Sequence, residues 1–323
     1  MSSTQAAPTT FPAPIGGVPF KSDFVPSIIF AIAYAAVTIL GLYRIIRTKS
    51  RTLCALGTLF FVGERIIIYS LRAKQAHTPS EDNSKGLTQY WQTTYAIGYL
   101  SVLADISAIL RSLLVNTTLG GSPAAANASE FDLGTNSSQS LLNRQGYGAP
   151  MEEDQPRARF WYRRICGNLQ LTSWIPVILG TVAGLQYPSV ETNQKTASTV
   201  QALRYATTGI AFVQVLIIQG LSVWGYVRVP RIRRSGALTM AVISTFLNIV
   251  SIYRLIAMHN KTPSLTSTGP GSLNSSAAKT TFYIFHATPE WLAAAILLAV
   301  NVREMFGTGM FGDYRSMDKK PAP

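Results

Sequence analysis

The chain has 323 residues, 47% of them hydrophobic and 13% charged, with a formal net charge of +13 and two cysteines. A soluble domain carries about 25% charged residues, so the composition argues against a pair of soluble domains of this total length. Two cysteines give no disulfide framework, and the absence of a basic groove module or aromatic–basic motif argues against nucleic acid as the partner of the positive charge.

Residues 1–21 are polar and rich in Pro, Thr and Ala, with no charged start, apolar core and small-residue cleavage site, so no cleavable signal is evident. Residues 1–23 are expected to form a flexible external N-terminus. Seven apolar stretches follow: Phe24–Ile46, Thr52–Leu71, Trp91–Val115, Ile165–Tyr187, Val200–Val227, Ala237–Met258 and Thr281–Val302. A helix rises about 1.5 Å per residue, so roughly 20 residues cross a bilayer core. Backbone groups in lipid must be satisfied within the segment, which selects helices. The predicted fold is therefore all-α, an integral membrane bundle of seven helices over residues 24–302. A Gly-, Ser-, Ala- and Asn-rich loop at about 116–160 is predicted to be disordered, and residues 303–323 form a cytoplasmic tail. Cys54 and Cys166 each start a span and read as free thiols. Trp91, Trp161, Trp224 and Trp291 read as interface anchors.

Loop charges set the orientation. Seventeen Lys and Arg residues lie at the ends that follow spans one, three, five and seven, among them Arg47, Arg159, Arg163, Arg228, Arg231, Arg233, Arg234 and Arg303; seven lie on the other side. The positive-inside rule puts the N-terminus outside and the C-terminus in the cytoplasm, in the plasma membrane or an endomembrane. Sequons at Asn260 and Asn274 fall in the external sixth-to-seventh loop, as glycosylation requires. Those at Asn116, Asn127 and Asn136 conflict, because they fall on the side assigned to the cytoplasm.

Ionisable groups inside spans are costly and face the bundle interior. The second span carries Glu64 and Arg65, the third Asp105, the fifth Gln214, the sixth Asn248 and Arg254, and the seventh His286 and Glu290. Arg65, Tyr69 and Arg72 share one helical face. Counting residues puts Glu64 roughly 18 Å in from the cytoplasmic start of its span and Glu290 roughly 14 Å in from the external start of its own, at nearly the same depth, with Asp105 nearer the cytoplasm. Arg65 is therefore predicted to pair with Glu290 in preference to Asp105, and adjacent Glu64 is a poorer partner because consecutive helical residues diverge by about 100°. Pro289 frees a backbone carbonyl and is expected to kink the seventh span. The same residues serve three readings: a structural ion pair, the lining of a ligand pocket or path, and a proton-coupled site at His286 and Glu290.

Several activities lack their residues. A retinal Schiff base needs a lysine within the seventh span, and Lys279 lies at its mouth. Three histidines, His77, His259 and His286, do not make a seven-span zinc hydrolase. P-loop, Rossmann and Ser-elbow patterns are missing. No enzyme, cofactor or metal site is predicted. The Asp/Glu-Arg-Tyr and Asn-Pro-x-x-Tyr signatures of the main receptor family are also missing: the third span ends Ile109-Leu110-Arg111-Ser112 and the seventh reads Pro289-Glu290-Trp291-Leu292.

Three segments carry a resemblance: Gly63-Glu64-Arg65 onward to Tyr69, Arg254 closing the sixth span, and Phe282-Tyr283-Ile284-Phe285-His286-Ala287-Thr288-Pro289-Glu290-Trp291 opening the seventh. The last is similar in layout to the Tyr-x-Phe-Asp-x-x-Pro region of the fungal lipid-translocating exporter (aminocholesterol-resistance) family, with His286 at the acidic position. The chain resembles fungal seven-span membrane proteins, some of them receptor-like. The resemblance implies lipid or amphiphile export. Topology, the basic segment Arg228–Arg234 and the long loop imply a receptor-like sensor of a small ligand or lipid with a cytoplasmic signalling partner. A membrane scaffold without a ligand is the third expectation.

Overall fold

The computed structural model describes residues 10–81, 83–120 and 153–314. Within them lie helices α1 (Phe24–Ile46), α2 (Leu56–His77), α3 (Lys85–Asn116), α4 (Pro156–Thr172), α5 (Trp174–Gln186), α6 (Gln194–Arg228), α7 (Arg234–Ala257), α8 (Ser276–Phe282), α9 (Thr288–Ala299) and α10 (Val302–Phe306). A π-helical turn, Tyr283–Ala287, joins α8 to α9. The two short strands, β1 (Phe11–Pro12) and β2 (Lys261–Thr262), pair antiparallel, with Phe11 opposite Thr262 and Pro12 opposite Lys261.

The fold is all-helical, and six of its segments are long and apolar enough to cross a bilayer. They mark the chain as a helical membrane protein. The predicted second span, now α2, is not among the six. Its Glu64, Arg65, Arg72 and Lys74 dilute its hydropathy, yet it packs between α1 and α3. The ring closes through α3 with α4 and α5, α5 with α6, α6 with α7, and α9 with α7 and α1. Burial identifies the central helix: 72% of the most apolar stretch of α3 is covered, against 28% for α1. The outer face of α1 presents Val25, Ile29, Ile32 and Ile39, as a lipid-facing helix should.

Local chemistry shapes the helix ends and breaks. Ser84 caps α3 by accepting from the Leu87 N–H, and Asn193 caps α6 through two N–H groups, each relieving orphan donors. The predicted fourth span begins nine residues earlier than expected and divides at Ser173. Pro176 cannot donate to the carbonyl one turn before it, so the ladder opens there. The predicted kink near Pro289 takes the form of the π turn, with the Thr288 N–H bonded to the Tyr283 carbonyl. A π turn accommodates one extra residue in the helical ladder.

Both ends of the bundle are closed by segments that flank the helices. Residues 10–23, expected within a flexible tail, instead fold over one end, with Phe11, Ala13, Ile15 and Val18 buried. Their apolar side chains drive this; Phe11 and Val18 pack with Tyr187, Val200 and Leu265, while Ile15 packs with Ile68, Trp91 and Phe282. At the opposite end residues 307–314, part of the predicted cytoplasmic tail, return to the bundle. The Leu53 N–H donates to Met310 O and Thr52 Oγ1 to Gly309 O. Asp313 accepts from Arg163 Nε and Nη2 at 2.8 and 3.1 Å. Nearby, hydrogen bonds from Arg159 hold the Asp154 carboxyl below its ordinary range.

Two sequence assignments change. Trp91 is buried, with Nε1 donating to Gln75, so it is a core residue and not an interface anchor; Trp161 and Trp224 are exposed. Asn274 is buried and fully used: Oδ1 accepts from the Val18 N–H, and Nδ2 donates to the Leu265 and Ser267 carbonyls. A sugar on that nitrogen is incompatible with this packing. Asn260 is half-buried, and its Nδ2 donates to Ala257 O. The side chain of Asn116 holds the Phe306 and Gly307 carbonyls. Asn127 and Asn136, most of the long loop, and the tail from residue 315 lie outside the described residues.

Candidate functional site

Arg65, Tyr69 and Arg72 share one face of α2, and all three are completely buried. Arg65 grips Glu290 of α9 with two prongs, Nε to Oε2 at 3.0 Å and Nη2 to Oε1 at 2.7 Å. This planar, two-point geometry is what a guanidinium and a carboxylate favour. The guanidinium lies flat against Gly98 of α3, where a β-carbon would approach Nη2 to 2.4 Å. It also stacks over the Phe61 and Tyr95 rings. The preferred pairing inferred from depth along the helices is the one observed.

Glu64 is closer than the 100° rule suggests. Its Oε2 meets Arg65 Nη1 at 3.1 Å, and Tyr90 donates to its Oε1. Long side chains converge even where their Cβ vectors diverge. Glu64 sits at the margin, 29% exposed, while Arg65 and Glu290 are sealed.

Asp105 does not join this layer. It accepts from the backbone N–H and hydroxyl of Thr58 at 2.5 and 2.7 Å. It therefore serves the first turn of α2, where orphan N–H groups and the helix dipole favour an anion. Gln214 also works elsewhere: its Nε2 donates to Thr172 Oγ1, and its Oε1 receives the Ser173 hydroxyl at 3.4 Å. It bridges the break between α4 and α5. Asn248 donates to Gln219, which donates to Thr245, an inter-helix chain on the outer side.

His286 lies one turn above Glu290, with Nδ1 3.9 Å from Oε2. Neither ring nitrogen has a hydrogen-bond partner. Tyr95, Tyr253 and Phe282 surround the imidazole, all with ring centres within 6 Å. The hydroxyls of Tyr69 and Tyr95 are likewise buried without partners. Arg254 donates to the Tyr95 carbonyl and to Thr208 Oγ1, and stacks over Tyr99. Thus Glu64, Arg65, Tyr69, Arg254, His286 and Glu290 gather in one region, whereas Asp105, Gln214 and Asn248 support the scaffold.

A second ionic cluster, invisible to the count of polar residues within spans, closes the mouth above this region. Asp23 is buried between Arg72, 3.5 Å away, and Lys279, with the Tyr283 hydroxyl at 3.0 Å. The carbonyls of the N-terminal segment meet inward-facing donors one after another. Pro12 O accepts from Tyr187, Ala13 O from Arg204, Ile15 O from Gln92, Gly16 O from Arg72 and Val18 O from Lys279. Arg204 lies within the predicted fifth span, apart from the residues assigned to the polar layer. The legible signals were that lone arginine and the apolar spacing of Phe11, Ile15 and Val18 beside a Gly-Gly pair.

Gly16 and Gly17 are left-handed, with φ of 76° and 59°. A β-carbon on Gly16 would come within 2.9 Å of Phe282, so the segment fits tightly onto the ring that covers His286. A separate apolar cavity of about 300 Å³ lies between α3, α4 and α6, lined by Leu114, Tyr162, Cys166 and Trp224. Both cysteines are free and buried. Among the described residues no three His, Cys, Asp or Glu side chains are grouped to hold a metal ion.

Compared with known proteins, the chain matches no family model, no curated protein and no solved structure.

Proposed function

We propose that the chain is a seven-span membrane protein, with α2 as the second span and the N-terminus outside, that senses a small ligand through the polar layer around Arg65, His286 and Glu290. The observation that carries this reading is His286: a fully buried imidazole beside a two-pronged ion pair, with both nitrogens unpartnered. Buried polar atoms are ordinarily satisfied, and an unsatisfied group beside charges in a membrane bundle is a functional feature more often than a packing one. A ligand presenting a hydroxyl, carbonyl or carboxylate would supply the missing partner. The opposite, basic end would then meet a cytoplasmic protein.

Transport of a lipid or amphiphile is the second reading, in keeping with the resemblance to the fungal exporters. The broken helices favour it: the division at Ser173 and the π turn that carries His286. Interrupted spans beside intramembrane polar groups are a recurring device of transporters.

Purified full-length protein in vesicles separates the two. With a fluorescent short-chain phospholipid, the sensor reading expects no movement beyond that of empty vesicles. It also expects saturable tryptophan-fluorescence changes with an added amphiphile, weakened in His286→Phe. Lipid movement that disappears in Arg65→Ala would transfer the assignment to transport.

A further inference from the structure

The mouth formed by α2, α3, α6 and α8 holds more positive charge than its carboxylates balance. Arg65, Arg72, Arg204, Arg254 and Lys279 are buried in this half of the bundle, facing Glu290, Asp23 and the partly exposed Glu64. Among the described residues Arg204 and Arg254 form no ion pair; each donates to a backbone carbonyl and stacks on a tyrosine. A carbonyl is a weaker partner for a buried guanidinium than an anion is. Arg254 below is held by the Tyr95 carbonyl of α3, while the N-terminal segment satisfies Arg204 through the Ala13 carbonyl without neutralising it. Between its carbonyls it places apolar side chains in apolar recesses, with Ile15 among Ile68, Trp91 and Phe282.

Resting on the ligand-site reading above, we propose that this mouth is a binding site for an anionic amphiphile, and that residues 11–20 are its tethered, displaceable occupant. A phosphate or carboxylate head takes the positions of the Ala13, Gly16 and Val18 carbonyls at Arg204, Arg72 and Lys279. The apolar chain of the ligand takes the recesses vacated by Ile15 and Phe11. Displacement lifts Gly16 off Phe282 and uncovers His286, joining the mouth to the polar layer. Two features suit the segment to exchange: its pairing with β2 spans two residues only, and its tether to α1 keeps it at high local concentration.

The test uses the full chain with Pro12→Cys and Lys261→Cys, positions directly opposite in the β1–β2 pair. Cross-strand neighbours lie within reach of a disulfide, and the native thiols are buried in the opposite half. Binding of dodecyl phosphate is measured with the new thiols reduced and oxidised. Oxidation should weaken binding by about tenfold or more, because the locked segment lowers the competent fraction, and reduction should restore it. In a second measurement, the rate of maleimide labelling at Ile15→Cys should rise by a similar factor with dodecyl phosphate. Inorganic phosphate and dodecyltrimethylammonium should leave it unchanged. Equal displacement by either of those two probes overturns the proposal, as does labelling that dodecyl phosphate leaves unaltered. Binding that ignores the disulfide removes the tethered occupant but leaves the ligand site. A failure of every amphiphile to bind the reduced protein removes both.

Discussion

The two ends of the bundle are closed by residues 11–23 and residues 307–314, but by different chemistry. At the mouth, residues 11–23 insert backbone carbonyls among buried cations and add one sealed carboxylate, Asp23. At the opposite end, residues 307–314 lie against the surface and hold through Asp313, whose side chain remains 14% exposed beside Arg163 and Arg111. The first closure is packed onto the buried ring of Phe282 beside the polar layer, where desolvation makes every unpaired group expensive. The second is less completely sealed: its guanidinium partners are buried, but the Asp313 carboxylate keeps a path to water. Closure of similar appearance therefore carries different energies, and the deeper one is joined to the polar layer.

Removing Asp23 should have the largest effect. Asp23→Ala leaves Arg72 and Lys279 without their shared carboxylate in a dry site, at a cost of about 3–5 kcal/mol, measurable as a fall in thermal stability of the purified protein. A loss no greater than that of Asp313→Ala would break the distinction between the two ends. Gly16→Val comes next. A left-handed, β-branched residue pressed on Phe282 should cost about 1–3 kcal/mol, and proteolysis within residues 10–20 should accelerate while the helices stay protected. Unchanged cleavage would mean that the segment is not seated on that ring. Asp313→Ala should cost least, about 1–2 kcal/mol, because its carboxylate keeps contact with water although its guanidinium partners are largely buried. The difference from the unsubstituted protein should shrink further in high salt. An effect indifferent to salt would place Asp313 in a drier site than its exposure implies.

Much of the interior was legible in the sequence because burial in lipid is so selective. Depth counted at about 1.5 Å per residue brought Arg65 to Glu290, and the spacing of Arg65, Tyr69 and Arg72 gave their common face. Asp105 was harder to place. A carboxylate that serves the start of a neighbouring helix looks, in one dimension, like a member of an ionic layer. The same holds for Gln214, whose partners exist only because Pro176 divides the fourth span. The mouth was least legible. Residues 10–23 lack helical periodicity, and what fixes them is a set of carbonyl contacts to Arg72, Gln92, Tyr187, Arg204 and Lys279 from five separate regions of the chain. No local pattern announces such contacts. The second span shows the reverse problem: the charges that make α2 important are the ones that lower its apparent fitness to cross a membrane.

The polar layer on which the sensor reading rests is tested most directly by a double-mutant cycle on Arg65 and Glu290. Each of Arg65→Ala and Glu290→Ala strands a buried charge and should cost about 3–5 kcal/mol. The double variant removes both charges, so its loss of thermal stability should be clearly smaller than the sum of the two single losses. Strict additivity would contradict the account, because it would mean that the two residues do not act as a pair.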